Sequence, residues 1–187
     1  MRHCDRNLNN CSFESPLIDK GHLNAMDSCN IMIKNNITKI YSSPFLRTIQ
    51  TSHYYSSKKT IPINIDYSLA EFVNIKDKDL MASTNNYQIP DTWYKMYNIK
   101  TDKMIHNVFN NNESIDDCIG RLIIFIDFIK KKYANTDENI LLVTHMSIVN
   151  MILGLLENNI NMKEFNIDKP YPMGLITELN ILNKNNI

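Results

Sequence analysis

The sequence predicts an α/β fold: a three-layer sandwich in which helices cover both faces of a mostly parallel sheet. Three observations carry this. Strand-like and helix-like stretches alternate along the chain, the order that builds parallel strands joined by helical crossovers. One strand-like run, Ile140-Leu141-Leu142-Val143-Thr144, is continuously apolar, as strands buried on both faces are. The length of 187 residues suits a single domain, residues 1–187, with a sizeable core.

The elements follow in order. Gly21 to Lys34 places Leu23, Met26 and Ile33, with the smaller Ala25 and Cys29, at helical intervals. Lys39 to Ser42 is a short strand ending in Ser-Ser-Pro. Pro44 then sits in the first turn of a helix running to about Ser57, because a first-turn residue needs no N–H. Ile63 to Asp66 reads as a strand. Residues 72–112 fit neither period. They carry Trp93, Tyr94, Tyr97 and Phe109, and are read as an excursion over the C-terminal edge of the sheet, where such folds bind ligands. Trp93 and its tyrosine neighbours are expected to form a small satellite core. Glu113 to Tyr133 is a strong helix, with Ile115, Ile119, Leu122, Ile123, Ile126 and Ile129 on its apolar side. Ser147 to Leu156 is helical, and Leu175 to Leu182 is a last strand.

Lys+Arg and Asp+Glu are each 20, so no net field draws the chain to nucleic acid or acidic lipid. Lys130-Lys131-Lys132 reads as a solvated helix end offsetting the dipole. No apolar run reaches 18 residues, which argues against a membrane partner. Cys4, Cys11, Cys29 and Cys118 lack CxxC spacing, and the chain opens on charge rather than on an apolar leader. Reduced thiols and a cytoplasmic location are expected. His3, Cys4, Cys11 and His22 fit no common zinc spacing, so no metal is expected.

Only four of the 20 basic residues are arginine, and three fall in two short segments: Arg2 and Arg6 in Met1-Arg2-His3-Cys4-Asp5-Arg6, and Arg47 in Ser42-Ser43-Pro44-Phe45-Leu46-Arg47-Thr48. In a lysine-rich chain, retained arginines point to a need for the guanidinium fork, which grips phosphate or carboxylate through two parallel hydrogen bonds. His145 closes the apolar strand. With His3, these residues suggest a phosphate pocket with a nucleophilic imidazole.

The same segments resemble the histidine phosphatase superfamily, the phosphoglycerate-mutase-like fold. Arg2-His3-Cys4-Asp5-Arg6 is similar to its Arg-His-Gly-Glu-Arg opening, and Ser15-Pro16-Leu17-Ile18-Asp19-Lys20-Gly21-His22 to its Ser-Pro-Leu segment. Ile40 to Thr51 resembles its second arginine motif, Ser68 to Phe72 its acidic motif, Glu113-Ser114 with Arg121 a helix start, and Leu142 to His145 its second histidine motif. Order and spacing agree over residues 2–155. Arg6 and the Ser-Pro-Phe-Leu-Arg-Thr form look nearest to the suppressor-of-T-cell-receptor-signalling-like branch.

The resemblance implies a phosphomonoester hydrolase working through a phosphohistidine. His3 would be the nucleophile. Arg2, Arg6, Arg47 and His145 would hold the phosphoryl oxygens. Glu71 would protonate the leaving oxygen and then deprotonate water. No metal or cofactor is implied, because arginine and histidine supply the charge. The substrate would be a phosphorylated small molecule or a phosphoprotein. The chain is too short for the insertions of a glycolytic mutase, and a homodimer stays open. Arg121 is expected in a structural ion pair. The resemblance also sets up three expectations of difference. The family's first central strand is truncated, since only Met1 precedes Arg2, and an upstream extension is expected to supply it. Cys4 replaces a glycine and Met146 a small residue, both next to the phosphate. These differences motivate the alternative, a catalytically weak phosphate-binding or interaction module on the same fold.

Overall fold

A computed structural model describes residues 1–9, 11–73, 87–101, 106, 112–156 and 168–179. The described elements are α1 (Asp19–Lys34), β1 (Lys39–Ser42), α2 (Leu46–Lys59), β2 (Ile63–Ile65), a 3-10 turn (Tyr67–Leu69), α3 (Asp91–Tyr97), β3 (Ile99–Lys100), α4 (Ile115–Tyr133), β4 (Ile140–Val143) and α5 (Met146–Leu156). The four strands form one parallel sheet in the order β3-β2-β1-β4.

Side-chain alternation along the strands separates two cores, one on each face. Ile40, Ile63, Ile65, Leu141 and Val143 point to one side, where Ala25, Cys29 and Met32 of α1, Ile49 and Tyr55 of α2, and Trp93 and Tyr97 of α3 cover them. Tyr41, Ile140 and Leu142 point to the other, beneath Leu122, Phe125, Ile126 and Ile129 of α4 and Ile148, Met151 and Ile152 of α5. Helices therefore cover both faces, as expected.

The N-terminal residues lie against the free edge of β4. The Met1 amine donates to the Leu142 carbonyl at 2.8 Å, the Thr144 amide to the Met1 carbonyl at 3.0 Å, and the His3 amide to the Thr144 carbonyl at 2.9 Å. Desolvation lowers the buried Met1 amine to a pKa of about 5. On the far side, the Arg2 amide donates to the Leu175 carbonyl at 3.3 Å. The expected last strand does not form over residues 175–179, whose described backbone meets the N-terminus at that bond alone, and residues 180–182 lie outside the described part. An apolar cavity of about 330 Å³ opens beside Met1, between Ile140–Leu142 and Ile176–Leu179.

Several local expectations need correction. The inward side of α1 is its small side, Gly21, Ala25, Ser28, Cys29 and Met32, while Leu23 and Met26 are exposed. Small residues let the helix approach closely: a Cβ on Gly21 would stand 2.0 Å from the Asp5 carbonyl oxygen. α4 starts at Ile115, after Ser114, whose hydroxyl accepts from the Asp117 amide in a capping box. Its buried stripe runs through Cys118, Leu122, Phe125, Ile126, Ile129 and Tyr133, leaving Ile115 and Ile123 exposed. Within the 72–112 stretch, the described residues include α3 and the edge strand β3. Trp93 joins the larger core instead of a satellite, stacked at 5.9 Å on Phe13. Phe109 lies outside the described residues. Lys130, Lys131 and Lys132 are all exposed, as expected, and Lys132 also donates to the Tyr41 hydroxyl at 3.0 Å.

Candidate active site

The candidate site forms where the C-terminal ends of β1 and β4 meet the N-terminal residues. Each parallel strand leaves its next residues at this edge: Ser43 after β1, His145 after β4, and Glu71 after the turn that follows β2. His3 is placed there by the hydrogen bond from its amide to the Thr144 carbonyl, and Arg47 by the first turn of α2.

His3 is buried, and its Nδ1 lies 2.7 Å from the Cys4 carbonyl oxygen. A carbonyl only accepts, so Nδ1 carries the proton and Nε2 keeps its lone pair. Burial, followed by the neighbouring Arg47 charge and the His145 ring, holds His3 well below the ordinary histidine pKa, so it is neutral at pH 7. Its centroid lies 5.4 Å from that of His145 in an edge-on arrangement.

His145 is also fully buried. Its Nδ1 lies 2.9 Å from Glu71 Oε2, and its Nε2 lies 2.8 Å from Ser43 Oγ. Burial lowers its pKa to about 4, against an upward pull from Glu71. Neutral His145 thus donates from Nδ1 to the carboxylate and accepts at Nε2 from the Ser43 hydroxyl. Burial alone would raise the Glu71 carboxyl. His145 and Arg47 outweigh it and hold the group well below the usual carboxylate range. Ser147 Oγ donates to Glu71 Oε1 at 3.1 Å, and Arg47 NH2 to Oε2 at 3.4 Å.

Arg47 is fully buried, and its guanidinium stands 4.5 Å over the Phe45 ring. Desolvation lowers it to a pKa of about 10, which still leaves it protonated at pH 7. Its NH1 donates to the Ser12 carbonyl at 3.0 Å, while its Nε finds no hydrogen-bond partner among the described residues. The Arg2 Nε is likewise buried without a partner. Buried donors normally have partners, so these two N–H groups call for an acceptor such as an anion. Arg6 lies half-buried, and its charge depresses Arg2, Arg47 and His145.

Four of the sequence-predicted residues, His3, Arg47, Glu71 and His145, therefore meet directly, with Arg2 and Arg6 at the margin. His22, His53 and His106 bind Tyr54, Ser57 and Ser68 instead. Ser43 and Ser147 are additions that the sequence reading missed; each flanks a motif residue, which was the available signal. Cys4 turns its side chain into the core against Gly174 and has no positive φ, so no glycine dihedral is lost there. The space is made on the other side: a Cβ on Gly174, at φ +74°, would stand 3.3 Å from the Cys4 sulfur.

His3, Glu71 and His145 also offer three ligand atoms within 4.8 Å of one another, a spacing that could hold a metal ion. The adjacent guanidinium of Arg47 opposes a cation there and favours an anion.

A family model matches residues 1–181: histidine phosphatase superfamily, branch 1. The chain belongs to the histidine phosphatase superfamily. No curated protein matches it in sequence. Among solved structures it is similar to an ecdysone phosphate phosphatase from Bombyx mori with bound tungstate. The TM-score is 0.64 at 16% identity, covering 95% of this chain and 82% of that one. It is also similar to an alpha-ribazole phosphatase from Shigella flexneri, with TM-score 0.59, 21% identity and coverage of 84% and 78%. A mycobacterial glucosyl-3-phosphoglycerate phosphatase aligns with TM-score 0.56 and 15% identity, over 83% of this chain and 76% of that one. At these identities the likeness is one of fold. The four-stranded parallel sheet and its helices are those of histidine phosphatases.

Proposed function

We propose that this chain is a metal-independent phosphomonoester hydrolase that works through a phosphohistidine on His3. The observation that carries the reading is the convergence of neutral, Nδ1-tethered His3 with Arg47, whose buried Nε lacks a partner, and with the Glu71–His145 pair. A substrate phosphate would take the open donors of Arg2 and Arg47. Fixed cations can stabilise the transferring phosphoryl group without reorganising during reaction.

In the first step His3 Nε2 forms a bond to phosphorus as the ester P–O bond breaks. The leaving oxygen takes a proton from Glu71. A carboxylate held this acidic must first gain that proton, and the entering phosphate supplies the reason: a second anion beside Glu71 raises its pKa. In the second step water attacks phosphorus, gives its proton to Glu71, and the N–P bond breaks. His145 keeps Glu71 in place through Nδ1, and it donates to a phosphoryl oxygen only once the entering phosphate has raised its pKa and Nε2 carries a proton.

Ecdysone phosphate, alpha-ribazole and glucosyl-3-phosphoglycerate appear in the names of the similar phosphatases. They support a phosphorylated small molecule as substrate. Affinity to the suppressor-of-T-cell-receptor-signalling-like branch, and with it a phosphoprotein, belongs to the same proposal, as do a homodimer and a cytoplasmic setting. No described helix is long and apolar enough to cross a membrane.

The test is rapid quenching with labelled p-nitrophenyl phosphate. Acid-labile, alkali-stable phosphate on His3, lost in His3→Ala along with turnover, is the expected result. An alkali-labile ester or acyl phosphate would contradict it. Phosphate binding without turnover by the intact chain would instead favour the non-catalytic module.

A further inference from the structure

Arg121 projects from α4 toward the turn before Glu71, and its hydrogen bonds go to that turn and to Glu113. A guanidinium has five N–H donors, and all five are committed. Nε and NH2 grip the Glu113 carboxylate at 2.8 and 2.6 Å. NH2 also donates to the Ala70 carbonyl at 3.0 Å, and NH1 to the carbonyls of Ser68 and, at 3.5 Å, Tyr67. The pair is buried, with side chains 11% and 7% exposed.

The three carbonyls belong to the 3-10 turn and the residue after it. The remaining one, Leu69, accepts from Thr144 Oγ1 at 2.6 Å. The carbonyls of residues 67 to 70 are thus all gripped by side chains from elsewhere in the fold, and the next residue is Glu71. An ion pair serving α4 alone would stop at Glu113. The bonds to the turn do nothing for the helix, and burying a charge is costly unless its donors are matched. Lysine could not reproduce them, since one ammonium cannot span a carboxylate and three carbonyls.

We propose that Arg121, locked by Glu113, is a positioning residue for Glu71. It fixes the backbone from which the carboxylate reaches His145 and Ser147. Its effect on turnover rests on the reading of Glu71 as the proton-transfer group.

The experiment compares Arg121→Lys, Glu71→Gln and the double variant on phenyl and p-nitrophenyl phosphate, with inhibition by inorganic phosphate as the measure of the anion pocket. Misplacing a reacting group by about 1 Å costs about a hundredfold in rate. Arg121→Lys should therefore lower kcat about a hundredfold on phenyl phosphate, and less on the ester with the better leaving group. KM and phosphate inhibition should stay within about twofold. In the Glu71→Gln background the same change should cost less than about threefold, because the group it positions is gone. Equal losses in both backgrounds, or loss of phosphate inhibition, would overturn the proposal. Should Arg121→Lys not fold, Glu113→Gln leaves the guanidinium in place with a weaker lock and is held to the same pattern.

A readout apart from activity separates the two ideas. The proton on His145 Nδ1, bonded to Glu71, should give a low-field resonance in the parent chain that is lost in Arg121→Lys. If Glu71→Gln turns over normally, the proton-transfer reading falls, and this resonance still judges the positioning. Its persistence in the variant would overturn that.

Discussion

Arg47 shows how far a single residue can be read before any coordinates exist. In a chain that writes most of its positive charge as lysine, an arginine one turn into a helix invites a reason. The reason is geometric: a fully buried fork that touches the Ser12 carbonyl, Glu71 and the Phe45 face, and keeps Nε uncommitted. Arg47→Lys keeps the charge and loses the fork. The expected cost is about 2–4 kcal/mol of transition-state stabilisation, or roughly 30- to 1,000-fold in kcat/KM. Steady-state kinetics check this, and near-parental activity would place Arg47 outside the reacting centre. His3, Glu71 and His145 were legible for the same reason, since each is an ionisable group within a short motif of fixed order. Ser43, Ser147 and the five-donor use of Arg121 were not. A serine beside a motif looks like any other serine, and carbonyl partners carry no sequence signal. The fate of Cys4 was also hidden, because its accommodation depends on Gly174, 170 positions away.

At the level of elements, long periodic segments were readable and short ones were not. α4, with 19 residues, and α1, with 16, extend over enough turns for their period to stand out. Period alone did not say which residues of α1 face inward, and close packing selected glycine, alanine and cysteine while Leu23 and Met26 stay exposed. α3, with seven residues, and β3, with two, are too brief for either period to register. The close packing of α1 yields a direct expectation. In Gly21→Ala the new methyl would stand 2.0 Å from the Asp5 carbonyl oxygen, a backbone atom that cannot rotate away. α1 must shift, at a cost of about 1–3 kcal/mol. Urea unfolding should show the midpoint falling, whereas Gly120→Ala, with nothing within 4 Å of the new atom, should leave it unchanged or higher.

For the whole molecule, burial of ionisable groups sets the response to acid. The Met1 amine falls from 8.0 to about 5, His145 from 6.5 to about 4, and His3 well below 6.5. Each is a base that the unfolded chain protonates first, so its stabilising contribution is complete above the unfolded value and fades as pH falls toward the folded one. Glu71, depressed below 4.5, adds loss in the same direction at lower pH. Stability should therefore rise with pH from about 4 to 8. With a free amine at Met1, that group alone contributes about 3 kcal/mol of the change between pH 5 and 8. Urea midpoints at pH 5, 6.5 and 8 measure it, and N-terminal acetylation should flatten the slope above pH 6.5. A flat profile with the amine free would contradict the burial. The bond from Met1 to Leu142 spans 141 positions, and His3, the proposed nucleophile, sits only two residues from that bond's first partner. Such a pairing closes the longest kind of loop a domain can make, and long loops are slow to close. Helices α1, α2 and α4 can each form from neighbouring residues, but the reacting centre exists only once the two distant parts of the chain have met. During synthesis His3 must wait, unpaired, until residue 144 has emerged, so on the proposed role of His3 catalytic competence would be among the last properties the growing protein acquires.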